Sequence, residues 1–124
     1  MTTIKAYTDI ERSKVLAEIL PIESADMSYS IIHNVGQESY HCNVPMFVPA
    51  MNGDIPCWSL SALLGILAEQ DFMIKSSNTN NECLYNINIP SRHCKAWSPS
   101  LVDAVFEIIF WLKKGKQYES TYRY

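Results

Sequence analysis

The residues of this 124-residue chain best suited to covalent or metal chemistry are four cysteines and three histidines. Cys57 stands just before a predicted helix, where the aligned backbone dipoles would lower the pKa of its thiol. His93, later in the chain, could act as the base that activates this thiol. The pair therefore predicts, as one alternative, a thiol-dependent enzyme.

A second interpretation of the same cysteine is that it packs in the core. Papain-like enzymes also place a Cys-Trp pair at a helix start, but this chain is much smaller. It lacks their glycine-rich approach, and Pro56 directly precedes Cys57. We favour a buried cysteine beneath Trp58, because free cysteine behaves as a small apolar residue.

Two His-Cys dipeptides, His41-Cys42 and His93-Cys94, are the candidate metal ligands. Zinc sites commonly use ligands about two to four residues apart, in a turn that aims both side chains inward. Neighbouring residues of an extended segment point to opposite faces, so each dipeptide supplies one ligand easily and two with difficulty. We expect free thiols, no metal and no cofactor, with these four residues as the alternative ligand set.

The C-terminal tail carries a candidate site for single-stranded nucleic acid, because basic residues alternate there with tyrosines that could stack on bases. The basic residues are Lys113, Lys114, Lys116 and Arg123, and the tyrosines include Tyr118 and Tyr122. A basic helix end followed by a frayed tail explains the same residues. The net charge of −3 makes nucleic acid an unexpected partner. The absence of a phosphate-binding glycine loop makes nucleotide hydrolysis unexpected.

Three predicted helices and a small, mainly antiparallel sheet must position these side chains, which defines an α+β fold. The helices are expected at about residues 9–20, 59–69 and 99–114. The first helix is predicted to start at a capping box of Thr8 and Glu11, and the second at the N-cap Ser59. The third is predicted to start at Ser98-Pro99 and to end at Gly115. The third helix is apolar on most sides, apart from a solvated strip of Asp103 and Glu107. It is therefore predicted to be the central core helix or half of a dimer interface.

The strands are predicted from β-branched runs and from alternation. Residues 27–32 favour one strand, and residues 71–76 and 82–89 favour a hairpin around the loop 77–81. In the second hairpin strand Cys83, Tyr85, Ile87 and Ile89 are expected to share the buried face. Residues 44–50 are apolar but contain two prolines, so we expect an edge strand or an extended segment lying across the core. Residues 1–115 then form one domain, and residues 116–124 a flexible or partner-docked tail.

The chain contains no apolar run of the length, about 20 residues, that a membrane helix needs. Its first residues contain no apolar core of a secretory signal. We therefore expect no membrane association and a cytoplasmic location.

Two segments resemble a group of small uncharacterised proteins of Bacteroides-type gut bacteria and their phages. The first is residues 55–64, with a Pro-x-Trp-Ser-Leu-x-x-Leu helix start, and the second is residues 101–112, an aliphatic helix that ends near Trp-Leu. The resemblance implies an intracellular α+β domain of bacterial or phage origin. It implies no activity and no catalytic residue.

Three tryptophans and seven tyrosines exceed what one small core needs. Because Trp and Tyr anchor protein interfaces, they predict a non-catalytic protein-interaction or regulatory module that self-associates or docks on an unknown protein partner. The interface candidates are Trp58, Trp97, Trp111, Tyr118 and Tyr122.

Overall fold

The computed structural model describes residues 5–79 and 82–119 and confirms the α+β fold class. Its three helices are α1 (Ile10–Ile19), α2 (Leu60–Ile66) and α3 (Leu101–Lys114). Its strands are β1 (Met27–Tyr29), β2 (Ile31–Ile32), β3 (Tyr40–His41), β4 (Ile55–Cys57), β5 (Met73–Thr79), β6 (Glu82–Ile89) and β7 (Cys94–Ser98).

The described strands form three antiparallel groups. Strand β1 pairs with β4, with Met27 opposite Cys57 and Tyr29 opposite Ile55. Strands β2 and β3 form a short ribbon, and the largest sheet has the order β5-β6-β7. The prediction of a mainly antiparallel arrangement is therefore confirmed.

Helix α3 is the centre of the fold. It packs against β6 and β7 on the sheet and against α1 and α2. Its buried residues are Val102, Ala104, Val105, Phe106, Ile108 and Ile109. Of the two expectations for this helix, the central core position is the one found, because other parts of the same chain cover it.

Two predicted helix starts are wrong by one or two residues. Asp9, not Thr8, caps α1 by accepting a hydrogen bond from the backbone N–H of Arg12. Helix α3 begins at Leu101 with Ser100 as its cap, so the predicted cap Ser98 is instead the last residue of β7. The predicted end of α3 is correct, since Gly115 terminates it with the left-handed φ of 75° that favours glycine. The predicted end of α2 at residue 69 is wrong, because this helix ends at Ile66.

The hairpin is longer and differently buried than expected. Strand β5 continues to Thr79, beyond the predicted end at residue 76. Ile87 and Ile89 are buried as predicted, whereas Cys83 is exposed and Leu84 is buried. On the predicted buried face, here called the inner face, burial is therefore confined to the end of β6 that pairs with β7, and the far part stays in water. Leu84 is buried although it points to the opposite face.

Candidate functional site

The thiol of Cys57 lies in a buried environment with no histidine among its described contacts. Its Sγ is 3.3 Å from the carbonyl oxygen of Thr8 and 3.7 Å from Thr8 Oγ1. Burial raises the pKa of the Cys57 thiol, even though hydrogen bonds with Thr8 and Ser13 oppose the change. His93 is exposed, in a left-handed turn with φ 55° just before β7. The geometry gives Cys57 the surroundings of a packing residue, without a base.

The alternative metal ligands are not assembled into a site. His41 places its Nε2 2.9 Å from the carbonyl oxygen of Gly53, and the buried Cys94 places its Sγ 3.4 Å from that of Arg92. Within residues 5–79 and 82–119, no three His, Cys, Asp or Glu side chains come together as metal ligands would.

Trp58, an expected interface residue, is a core residue instead. Its side chain is fully buried, and its indole Nε1 donates a hydrogen bond of 2.9 Å to Ser24 Oγ. It belongs to the same buried cluster as Leu63 and Phe106. Because no part of Trp58 reaches the surface, it cannot contact a partner of the folded chain.

The other predicted interface and tail residues are distributed over the surface. Trp97 and Trp111 are half-buried, on the largest sheet and on α3. The ring of Tyr118 stands edge-on to Phe106 and Phe110, with centroid distances of 4.7 and 5.2 Å. This part of the tail therefore folds back on α3, and its aromatic ring is engaged within the chain.

The basic residues of the predicted nucleic-acid site are only partly described. Lys113, Lys114 and Lys116 are exposed at the end of α3 and just after it. Arg123 and Tyr122 lie outside the described residues. Because the Tyr118 ring packs on α3, the described part of the tail gives these lysines no free aromatic platform for stacked bases.

An ion-pair network joins the N-terminal segment and α1 to α3. Lys5 Nζ lies 2.8 Å from Asp9 Oδ2 and 2.7 Å from Asp103 Oδ1. Arg12 lies 2.6 Å from Asp9 Oδ2 and 3.5 Å from Asp103 Oδ1, with its guanidinium 5.7 Å from the centre of the Phe106 ring. Asp103 was expected in a solvated strip, and this expectation is wrong because two cations from other elements reach it.

A surface groove of about 560 Å³ lies beside this network. Its lining residues are Lys5, Tyr7, Asp9, Ile10, Glu11, Tyr29 and Asn43. Several of its polar groups are already engaged, since Lys5 pairs with Asp9 and the Tyr29 hydroxyl donates to the carbonyl oxygen of Thr8 at 2.7 Å. At one side the groove borders Asn43, and an exposed apolar stretch of the chain begins at the next residue.

That stretch is the apolar segment, defined as residues 44–51. Five of its large side chains are between 41% and 73% exposed, namely Val44, Met46, Phe47, Val48 and Met51. Pro45 is buried, so this side chain packs against the body of the fold. We expected an edge strand or an extended segment lying across the core. The run does not lie across the core, because its large side chains face water, and Met46 forms an isolated bridge with Ser28 instead of belonging to an edge strand.

The backbone of the apolar segment is fixed near its start. Met46 and Ser28 exchange two backbone hydrogen bonds of 3.0 Å each, which attaches the segment to β1. The N–H of Val48 then donates to the carbonyl oxygen of Met46 at 2.9 Å, which closes a tight turn. Phe47 sits at the tip of this turn, and its position is therefore defined by the bonds on either side.

The far end of the segment is fixed by Asp54. Its Oδ1 accepts from the N–H of Ile31 at 2.9 Å, and its Oδ2 accepts from the N–H of Met51 at 2.8 Å. These two bonds lower the pKa of the Asp54 carboxyl. Gly53 between them has φ 93°, and a Cβ there would approach Ile31 Cγ2 to 3.3 Å, so glycine is required for this turn.

The charged residues that flank the apolar segment in the sequence are all acidic. Between Lys14 and Lys75 the chain contains no Lys or Arg, and its charged residues there are Glu18, Glu23, Asp26, Glu38, Asp54, Glu69 and Asp71. The exposed apolar side chains therefore belong to the acidic part of the chain.

Comparison with protein families, with curated proteins and with solved structures finds no match. Among the described residues, no helix has the length and apolar character needed to cross a membrane.

Proposed function

We propose that the chain is a non-catalytic protein-interaction module that docks on another protein through the apolar segment. The observation that carries this proposal is the exposure of five large apolar side chains within eight consecutive residues. Isolated exposed apolar residues are ordinary, but a continuous run of them marks an interaction surface.

The fixed backbone of the segment supports the same proposal. A flexible loop loses conformational entropy when it binds, and this loss reduces affinity. Here the bonds between Met46 and Ser28, and those from Asp54 to Met51 and Ile31, hold the loop before any partner arrives. Rigid presentation of apolar anchors is expected of a docking element and is unnecessary for a simple connection between strands.

Charge favours a protein over a membrane as the partner. Segments that insert into anionic membranes place Lys or Arg next to their apolar anchors. The apolar segment has none, and the nearest charged residues along the chain are Glu38 and Asp54. An apolar pocket with a neutral or basic rim on a partner protein fits this combination.

In this proposal the chain regulates its partner by binding to a site on the partner and covering it. The resemblance to small bacterial and phage proteins adds the proposal that the setting is cytoplasmic and that the partner belongs to a host system. Neither the buried Cys57 nor the basic tail adds a catalytic or nucleic-acid function to this proposal.

A photo-crosslinking experiment tests the docking. A benzophenone amino acid replaces Phe47 in one variant and Glu18, an exposed residue of α1, in the control variant. After irradiation in cells that produce the chain, we expect protein adducts from position 47 that are absent from position 18. A Met46→Ser change in the same chain should reduce the yield of these adducts.

Two results would refute the proposal. Position 47 would give no protein adduct, or the two positions would give the same adducts. Sedimentation with vesicles of phosphatidylcholine and phosphatidylglycerol is the second arm, and binding that disappears in Phe47→Ser would assign the segment to membranes instead.

A further inference from the structure

Strand β5 forms an open edge of the largest sheet. The strand order β5-β6-β7 gives β5 one neighbour, and the described residues provide no strand on its other side. Met73 to Asn78 are all exposed. The free side of an edge strand presents unpaired N–H and C=O groups to which another strand can bind.

The usual means of protecting such an edge are nearly absent. Strand β5 contains no proline, and its pairing with β6 runs without a bulge from Met73 opposite Asn88 to Thr79 opposite Glu82. Lys75 is its only charged residue. At seven residues it is also longer than the other edge strand, β7, which has five. Short edge strands, bulges, prolines and multiple charges are what monomeric proteins use to prevent edge pairing.

The side chains of β5 are compatible with pairing to themselves. A two-fold axis through Ser76, the middle residue, would place Ser76 opposite Ser76 of a second copy, Lys75 opposite Ser77, and Ile74 opposite Asn78. No like charges meet directly in this register, although like charges directly opposite each other destabilise a strand pair. The two Lys75 side chains become diagonal neighbours at roughly 7–8 Å, where their repulsion is weaker than that of a directly opposed pair, so the edge can pair with its own copy.

We propose that β5 pairs antiparallel with β5 of a second copy, so that two three-stranded sheets join into one continuous sheet. Such an interface uses the same residues on both copies and closes after two of them. The part of the inner sheet face that the helices leave in water, around Ile74 and Cys83, would then lie between the two α3 helices. This dimer does not depend on the apolar segment, which lies in another part of the fold.

The test introduces charges at the predicted two-fold axis. We expect sedimentation velocity of the wild-type chain to show a concentration-dependent species of twice the 14.2 kDa monomer mass. Ser76→Lys and Ser76→Glu each place like charges opposite each other, so each should weaken the dimer by about fivefold or more. An equimolar mixture of the two variants should recover the dimer, because a lysine then faces a glutamate.

The control variants Ser61→Lys and Ser61→Glu carry the same charges on the exposed surface of α2 and should leave the dimer unchanged. Recovery in the mixture also shows that both Ser76 variants fold. A wild-type chain that stays monomeric at all concentrations overturns the proposal. So does a dimer that is insensitive to both Ser76 variants, or one that is lost in both and not recovered in the mixture. Phe47→Ser should leave this dimer intact. A failure of the dimer proposal can therefore be distinguished from a failure of the docking proposal.

Discussion

Replacing Phe47 by serine should separate binding from folding. Phe47 is 73% exposed at the tip of the apolar segment. A buried phenylalanine covers roughly 200 Å², so about 150 Å² of this side chain remains for a partner to cover and about 50 Å² is covered by the chain itself. At about 25 cal/mol per Å², the first area corresponds to ~4 kcal/mol and the second to ~1 kcal/mol.

The loss of side-chain entropy at an interface reduces the ~4 kcal/mol expected from the area that a partner covers. We therefore expect Phe47→Ser to weaken partner binding by about 2–4 kcal/mol, which is roughly 30- to 1,000-fold. The free energy of unfolding should change by less than about 1 kcal/mol. Calorimetric titration with the cross-linked partner, once purified, measures the first quantity. Urea unfolding followed by circular dichroism measures the second.

Val35→Ser is the control, because Val35 is a fully exposed apolar residue that lies outside the apolar segment. It should alter neither quantity appreciably. A loss of about 2 kcal/mol or more in the unfolding free energy of Phe47→Ser would show that the segment belongs to the core and refute the reasoning. Unchanged affinity for the partner would refute it equally.

Three further predictions concern the body of the fold. Trp58→Ala should lower the free energy of urea unfolding by about 3–5 kcal/mol because it empties a fully buried site, whereas Trp97→Ala at a half-buried site should cost clearly less. Burial opposes ionisation of Asp9, but hydrogen bonds from a lysine and an arginine outweigh it and lower the pKa of its carboxyl. The stabilisation from this depressed pKa should therefore be complete above the unfolded-state pKa of about 4 and be lost as the pH falls through the lower folded-state pKa. Urea titrations at successive pH values should show this loss in the wild type and a flatter profile in Asp9→Asn. Finally, iodoacetamide should alkylate the exposed Cys83 in the native chain but not Cys57, whose thiol is buried with a raised pKa; peptide mass spectrometry that finds Cys57 modified as fast as Cys83 would contradict this burial.

Local features of the fold could be predicted from the sequence because neighbouring residues determine them. Ser59 accepts a hydrogen bond from the N–H of Ala62, as its position before an apolar helix predicts. Gly115 ends α3, and the apolar sides of α3 mark it as the central helix. Each of these predictions needs only the spacing of a few residues.

The helix starts that were wrong show where tertiary contacts decide between neighbouring candidates. Thr8 and Asp9 are both good caps, but the hydroxyl of Thr8 lies 2.7 Å from that of Ser13 inside the core, which leaves the cap to Asp9. Ser98 pairs with Tyr85 across the sheet, so the helix begins after Ser100 instead. Both outcomes depend on residues that lie on other elements.

The candidate site was the least predictable part. Whether an apolar run faces the core or water depends on distant pairing, and here Met46 meets Ser28 so that Phe47 turns outward. Aromatic content alone pointed to Trp58 as an interface residue, although Ser24 and the core enclose it. The pairing of Lys5 with Asp103 spans 98 residues and has no local signal.

If the apolar segment docks on a partner, as we propose, its position within the chain ties partner binding to the lifetime of the protein. The segment lies between β1 and β4, and its geometry exists only while Tyr29 is paired with Ile55 and Asp54 holds Met51. The unfolded chain therefore offers no binding site, so a partner at about 100 times its dissociation constant adds ~2.7 kcal/mol to the stability of the folded form. Because proteolysis acts on opened chains, the supply of partner would set how much of this protein accumulates.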